Sequence, residues 1–251
     1  MFFTLISDVV APAGMICCGG FTPVPEDRID APAGTVVLIG STGPAMWQVF
    51  AASVSEASRK EAPNPLDDWT REVVTKAARR LGARALFPFE GPPFHPFMRW
   101  AQRAEALAPS PIGPLIHPRY GLWQAYRAAL VFAEAIDLPA ASPVASPCTH
   151  CADKPCTTGC PVDAIRRDAY DTRRCIAHLR SAAGADCRAL GCRARRACPV
   201  GASYRHEPEH ADFHMGKFVA ALSHGREGNE ESPEGGAPRG ATVDLGKAPA
   251  I

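Results

Sequence analysis

The chain has 251 residues, 46% of them hydrophobic, and a formal net charge of +1 at pH 7. It can therefore bury a sizeable core, and as a whole it is not a nucleic-acid-binding polycation. Eight of its ten cysteines crowd between Cys148 and Cys198, too clustered for a disulfide scaffold in a chain of this length.

At the start, MFFTLISDVVAPAG is apolar but has no basic leader, and Asp8 interrupts it, so it does not read as a secretory signal. No apolar run reaches the roughly 18 residues of a membrane span. A soluble, cytoplasmic protein in a reducing setting is expected.

Residues 1–137 read as one domain mixing helix and strand. In MICCGGF, Cys17 and Cys18 fit buried apolar positions better than a redox pair, since adjacent cysteines close a strained ring. TVVLIGS (35–41) is a buried strand, and GPAMWQVFAASV continues as a helix with Pro44 near its start. LDDWTREVVTKAARRLG (66–82) is the clearest amphipathic helix. Asp67 or Asp68 caps it, Trp69, Val73, Ala77 and Leu81 form its apolar stripe, and Gly82 ends it. RALFPF reads as a strand and FMRWAQRAEALA as a helix, while WQAYRAALVFAEAI (123–136) fits either by periodicity. FEGPPFHPFMRW (89–100) suits a wall over a flat cofactor, or an ordinary loop. The Pro-rich stretch at 138–147 is a linker, 148–205 the cysteine-rich domain, 206–224 a terminal helix, and 225–251 a disordered tail.

GSTGP lacks the lysine of a phosphate loop, and no nucleophile–base pair stands out. Asp67, Asp68, Glu90 and Glu105, the candidate general acids, read better as helix caps or solvated faces.

The cysteines form two sets. The first is Cys148-x2-Cys151-x4-Cys156-x3-Cys160-Pro161, and the second is Cys175-x11-Cys187-x4-Cys192-x5-Cys198-Pro199. In the bacterial ferredoxin run three cysteines serve the near cluster and the fourth serves the other one. On that pattern Cys148, Cys151, Cys156 and Cys198 hold one 4Fe–4S cluster, and Cys175, Cys187, Cys192 and Cys160 hold the second. The segment thus resembles the dicluster bacterial-type ferredoxin domain over about 60 residues. Both sets depart from its compact spacing: two extra residues, Pro155 included, widen the first, and IAHLRSAAGAD reads as a helix inserted in the second. DTRRCIAHL with the later cysteines resembles the arrangement in epoxyqueuosine reductases. Two zinc sites of four thiolates each are the alternative.

Residues 148–205 carry eleven Arg/Lys against five Asp/Glu. Two oxidised clusters would add about −4, so an electrostatic offset is the first reading of this excess. A patch such as RARR (193–196) facing an acidic protein partner or RNA phosphate comes second, with RNA the least favoured.

PIGPLIHPRYGLWQAYRAALVFAEAIDLP (111–139) and GTVVLIGSTGPAMWQVF (34–50) are similar to the cobalamin-processing family of the CblC type, with a likeness over roughly residues 10–139. The resemblance implies an α+β fold, a flavin-reductase-like (CblC-like) domain followed by a small ferredoxin-type iron–sulfur domain. It also implies a corrinoid between the two, with flavin as the alternative, and electrons passing to it from the clusters. His117, Arg119, Tyr120, Gly121 and Trp123 fall in the matching loop as candidate pocket residues. Arg127 matches the family arginine that contacts an anionic thiol substrate. Against these stand a His117 that fixes its own loop, and core packing for Trp123 and Trp100.

The reading is thus an iron–sulfur redox protein working with an electron-donor or acceptor protein. A plain electron carrier docking a partner reductase is one rival. An epoxyqueuosine-reductase-like tRNA-modifying enzyme is another, disfavoured because that family's proton-donor segment and RNA-binding repeats have no recognisable counterpart.

Overall fold

A computed structural model of the chain describes residues 2–139, 145–166 and 169–224. The expected tail at 225–251 and the middle of the expected linker, 140–144, lie outside the described residues. The N-terminal part contains helix α1 (Phe2–Val10), strands β1 (Ile16–Phe21) and β2 (Thr35–Thr42), helices α2 (Ala45–Ser53), α3 (Glu56–Glu61) and α4 (Pro65–Leu81), strand β3 (Arg84–Leu86), helix α5 (Phe97–Glu105), the short pair β4 (Ala108–Pro109) and β5 (Leu115–Ile116), and β6 (Gln124–Phe132). The cysteine-rich part contains the two-residue strands β7 (Ile165–Arg166) and β8 (Ala169–Tyr170), then helices α6 (Thr172–Arg180), α7 (Ala185–Leu190), α8 (Arg193–Ala197) and α9 (Pro208–His224).

Strands β1, β2, β6 and β3 form an antiparallel sheet in that order. Side chains alternate across it. Val37 and Ile39 of β2, with Ala128 and Leu130 of β6, pack against Ile6, Met46, Phe50, Trp69 and Val74 on one face. Val36 and Leu38, with Ala129 and Val131, pack against Phe97, Trp100 and Ala104 of α5 on the other. Burial on both faces explains the unbroken apolar run of β2 and the ambiguous periodicity of 123–136. A central strand covered on both sides has no reason to alternate. β6 resolves as a strand through pairing with β2 and β3.

Three local expectations shift. Asn64, not Asp67 or Asp68, occupies the capping position of α4, without a side-chain cap bond. Pro65 sets the first helical residue, so the two aspartates fall inside the first turn, where the helix dipole favours them. Leu66, Trp69, Thr70, Val74, Ala77, Ala78 and Leu81 are the buried face, with Val73 at its margin. The strand at RALFPF stops at Leu86, before a turn closed by Glu90 N–H to the Phe87 carbonyl at 3.3 Å. Helix α6 begins ahead of Cys175, started by an Asp171 carboxylate that accepts the Arg174 N–H at 2.9 Å. Gly82 ends α4 at φ 68°.

The cysteine-rich part has little apolar core. One small cluster joins Ile112, Ile116 and Leu122 to Cys156, Ala194 and Cys198, and another joins Leu179, Cys187 and Met215. No helix among the described residues is long and apolar enough to cross a membrane.

Candidate metal centre

All eight clustered cysteines are free thiols. Cys156 interacts electrostatically with Cys198, Cys148 and Cys151, and Cys198 with Cys148 and Cys151. Cys175 interacts with Cys192, Cys160 and Cys187, and Cys192 with Cys187 and Cys160. Cys160 lines one cavity with Cys175, Cys187 and Cys192, while Cys198 packs with Cys156 and Cys148 in one apolar cluster that Cys160 and Cys192 also touch.

Tight turns present the thiols. Pro147–Thr149, capped by Ser146, carries Cys148, and Pro155–Thr157 carries Cys156. Burial pushes Cys156, Cys187, Cys192 and Cys198 up, and pushes Cys175 up to about 11. The Ala164 N–H lies 3.2 Å from Cys160 Sγ. At three of the shifted sulfurs hydrogen-bond donors oppose the upward push. The backbone at Ala194 and Arg195 serves Cys192, Val200 serves Cys198, and the Tyr170 hydroxyl serves Cys175. Such donors support the thiolate form, and around an iron–sulfur centre they tune its potential.

A cavity of about 200 Å³ opens beside the second group. Cys160, Cys175, Cys187 and Cys192 line it together with His117, Leu122, Gln124 and Tyr126. Behind Gln124 and Tyr126 lies Glu105. Its Oε2 accepts the Tyr126 hydroxyl at 2.7 Å and Gln124 Nε2 at 2.5 Å, and its Oε1 is 3.9 Å from His117 Nε2. Burial pushes the Glu105 carboxyl up, against the pull of those two donors. It pushes the Tyr126 hydroxyl up too, and keeps His117 below the usual histidine range. Glu105 is therefore a largely covered carboxyl, 14% exposed, beside the cavity rather than a solvated-face residue. Asp67 is partly buried and electrostatically coupled to Arg127, whereas Asp68 is exposed and Glu90 pairs with Arg71.

The six other candidate residues spread along a seam. His117 Nδ1 accepts the backbone N–H groups of Arg119 (3.0 Å) and Tyr120 (3.1 Å), so its ring fixes the loop while lining the cavity. Arg119 Nε donates to the Tyr204 hydroxyl at 2.9 Å, and Tyr120 meets Tyr204 edge-on at 4.9 Å. Gly121 has φ 61°, and a Cβ there would fall 2.0 Å from the Val200 carbonyl oxygen. Trp123 is buried under Arg195, whose guanidinium lies 4.4 Å from the ring centre and donates to the Leu122 carbonyl at 2.7 and 2.9 Å. Arg127 on β6 is electrostatically coupled to Asp67. The loop thus clasps the cysteine-rich part to the sheet. Of FEGPPFHPFMRW, Met98 reaches the cavity, Trp100 is fully buried core and Phe94 is exposed. Several arginines of the basic segment brace the fold: Arg188 donates to the Ser181 carbonyl, Arg205 to that of Arg196, and Arg193 and Arg196 pair with Asp186.

No family model matches the chain, and no curated protein does. Solved structures similar to it include two epoxyqueuosine reductases and a B12-trafficking protein. The epoxyqueuosine reductase of Bacillus subtilis shares 15% identity over 85% of this chain and 70% of that one, with a TM-score of 0.48. The B12-trafficking protein CblC of C. elegans shares 14% over 87% and 96%, with a TM-score of 0.47. The epoxyqueuosine reductase of Streptococcus thermophilus shares 13% over 82% and 68%, with a TM-score of 0.46. Likeness at this level assigns no activity.

Four thiolates per site is the donor set of an iron–sulfur cluster and also of a thiolate zinc site. The chain offers eight free cysteines for it, some on tight turns, with Cys160, Cys175, Cys187 and Cys192 together on the cavity. A corrinoid in the same place would need it to widen, since about 200 Å³ is below the roughly 300–1,000 Å³ of ordinary small-molecule pockets.

Sequence reasoning missed the Glu105–Tyr126–Gln124 network. Its signal is the two-residue spacing of Gln124 and Tyr126, which share one face only once 124–132 is known to be a strand.

Proposed function

We propose that the chain is an iron–sulfur redox protein with two 4Fe–4S clusters, one on Cys148, Cys151, Cys156 and Cys198 and one on Cys175, Cys187, Cys192 and Cys160. What supports this reading most is the sorting of eight free thiols into two fours, with Cys160 and Cys198 exchanged between the sequence sets. Bound clusters would supply one-electron transfer, with a corrinoid, or in the alternative a flavin, as the acceptor. Around the second group the chain excludes water with Leu122, Leu179 and Met215. The Tyr126 hydroxyl and the Glu105 carboxyl hold a proton at the cavity's edge. His117 and Gly121 keep the loop seated so that the second group stays covered.

Anaerobic reconstitution with iron and sulfide tests the reading: the protein should turn brown, absorb broadly near ~400 nm and hold about eight irons per chain. A colourless product with two zincs would end it. Hydroxocobalamin added to the reconstituted protein should bind with a spectral change. Without corrinoid or flavin binding, the carrier that docks a partner reductase is the better description.

A further inference from the structure

His206, His210 and His214 stand four residues apart, the last two one turn apart on α9. Their candidate ligand nitrogens all lie within 4.8 Å of one another. His210 Nε2 and His214 Nε2 are 3.0 Å apart, and the His206 ring, stacked on His210 at 3.8 Å, has to turn about its side-chain bonds to point a nitrogen at the same ion. Two imidazoles on one tetrahedral zinc would place their nitrogens about 3.3 Å apart, so this spacing is close to that of a shared ion. His210 is 2% exposed, so the nitrogen it turns to His214 lies in the packed interior and not at the surface.

From these observations we infer that His206, His210 and His214 form a binding site for a divalent cation of the zinc class, separate from the cysteines. The site is built into the fold. The His210 ring stacks flat on Trp47 of α2 at 4.8 Å, and His206 meets Trp123 at 5.2 Å. Burial, with Arg127 and Arg195 nearby, keeps all three imidazoles neutral, and neutral imidazole is the form that ligates. The neighbouring acids are turned elsewhere: Glu209 pairs with Arg59 at 2.8 Å, and Glu207 accepts from Gln48 at 3.4 Å. Arg127 and Arg195 would repel a bare dication, so the ion is taken together with a small anion that completes its shell and faces the guanidiniums. Three protein ligands plus one exchangeable position is the composition of an open zinc site rather than a closed structural one.

The test adds zinc acetate, in chloride-free buffer, to protein already reconstituted with iron and sulfide, followed by desalting. Wild type should retain about one zinc per chain with its iron unchanged. X-ray absorption at the zinc edge should show only nitrogen and oxygen neighbours near about 2.0 Å, and no sulfur near about 2.3 Å. His206→Gln and His210→Gln should each bring zinc to none while keeping the iron. His210 packs in the core, so iron content and circular dichroism report whether that variant folds; the half-buried His206 gives the independent variant. If iron is not incorporated, zinc on the cysteines would be common to wild type and both variants, and the difference between them still counts the histidine site. No retained zinc, sulfur in the zinc shell of iron-loaded protein, or zinc unchanged in both variants would overturn the inference.

Discussion

Burial of Glu105 among Tyr126, Gln124 and His117 has a consequence that pH can read. Its folded carboxyl sits above the ordinary value of 4.5, so the fold binds this proton more tightly than the unfolded chain does. Its stabilising contribution is complete below the unfolded value and is lost as pH rises through the folded one. Gln at this position can accept the same two hydrogen bonds without a charge. Glu105→Gln should therefore gain urea resistance over wild type as pH rises from about 5 to about 9; a pH-independent difference would argue against the assignment. Asp27 is a different case. It is 1% exposed, contacts Arg103 and accepts the Val24 N–H at 2.8 Å. Asp27→Ala strips the partner from Arg103 and should cost about 3 kcal/mol in chemical denaturation. At the thiols, Cys160→Ala should remove about half the iron, and adding Cys175→Ala should remove little more. If adding Cys148→Ala, rather than Cys175→Ala, costs no further iron, Cys160 belongs with the upstream group.

At the scale of elements, the loop from His117 to Trp123 is the clasp between sheet and cysteines. Gly121 matters there for two reasons at once: its φ of 61° suits glycine, and the Val200 carbonyl leaves no room for a Cβ. Gly121→Ala should lower stability by about 2–4 kcal/mol and hasten iron loss, as thermal melts and iron retention would show. Helix α4 was legible because its period, its first-turn aspartates and Gly82 agree, although Pro65 moved its start. Strand β6 was not, because its identity rests on partners far away in sequence.

Across the whole molecule, apolar burial is uneven. The sheet has large clusters on both faces, whereas the cysteine-rich part packs a few aliphatic side chains around its thiols. A region with so small a core depends on what its cysteines bind. Removing iron with a chelator should therefore expose 148–224 to limited proteolysis while the sheet stays resistant. Equal cleavage of both parts, read by mass spectrometry, would sink that expectation.

Sequence alone determined a buried strand at 35–41, a helix at 66–82 and the presence of eight thiols within one short segment. Each of these depends on local period or spacing. It also held the histidine repeat in HEPEHADFH, whose meaning was not legible there. Tertiary structure decided that Trp47 stacks on His210, that Arg127 and Arg195 face the three histidines, and that Glu105 lies behind the cavity. These are meetings of residues distant along the chain, created by packing α9 and the cysteine-rich part against the sheet, and no local pattern encodes them.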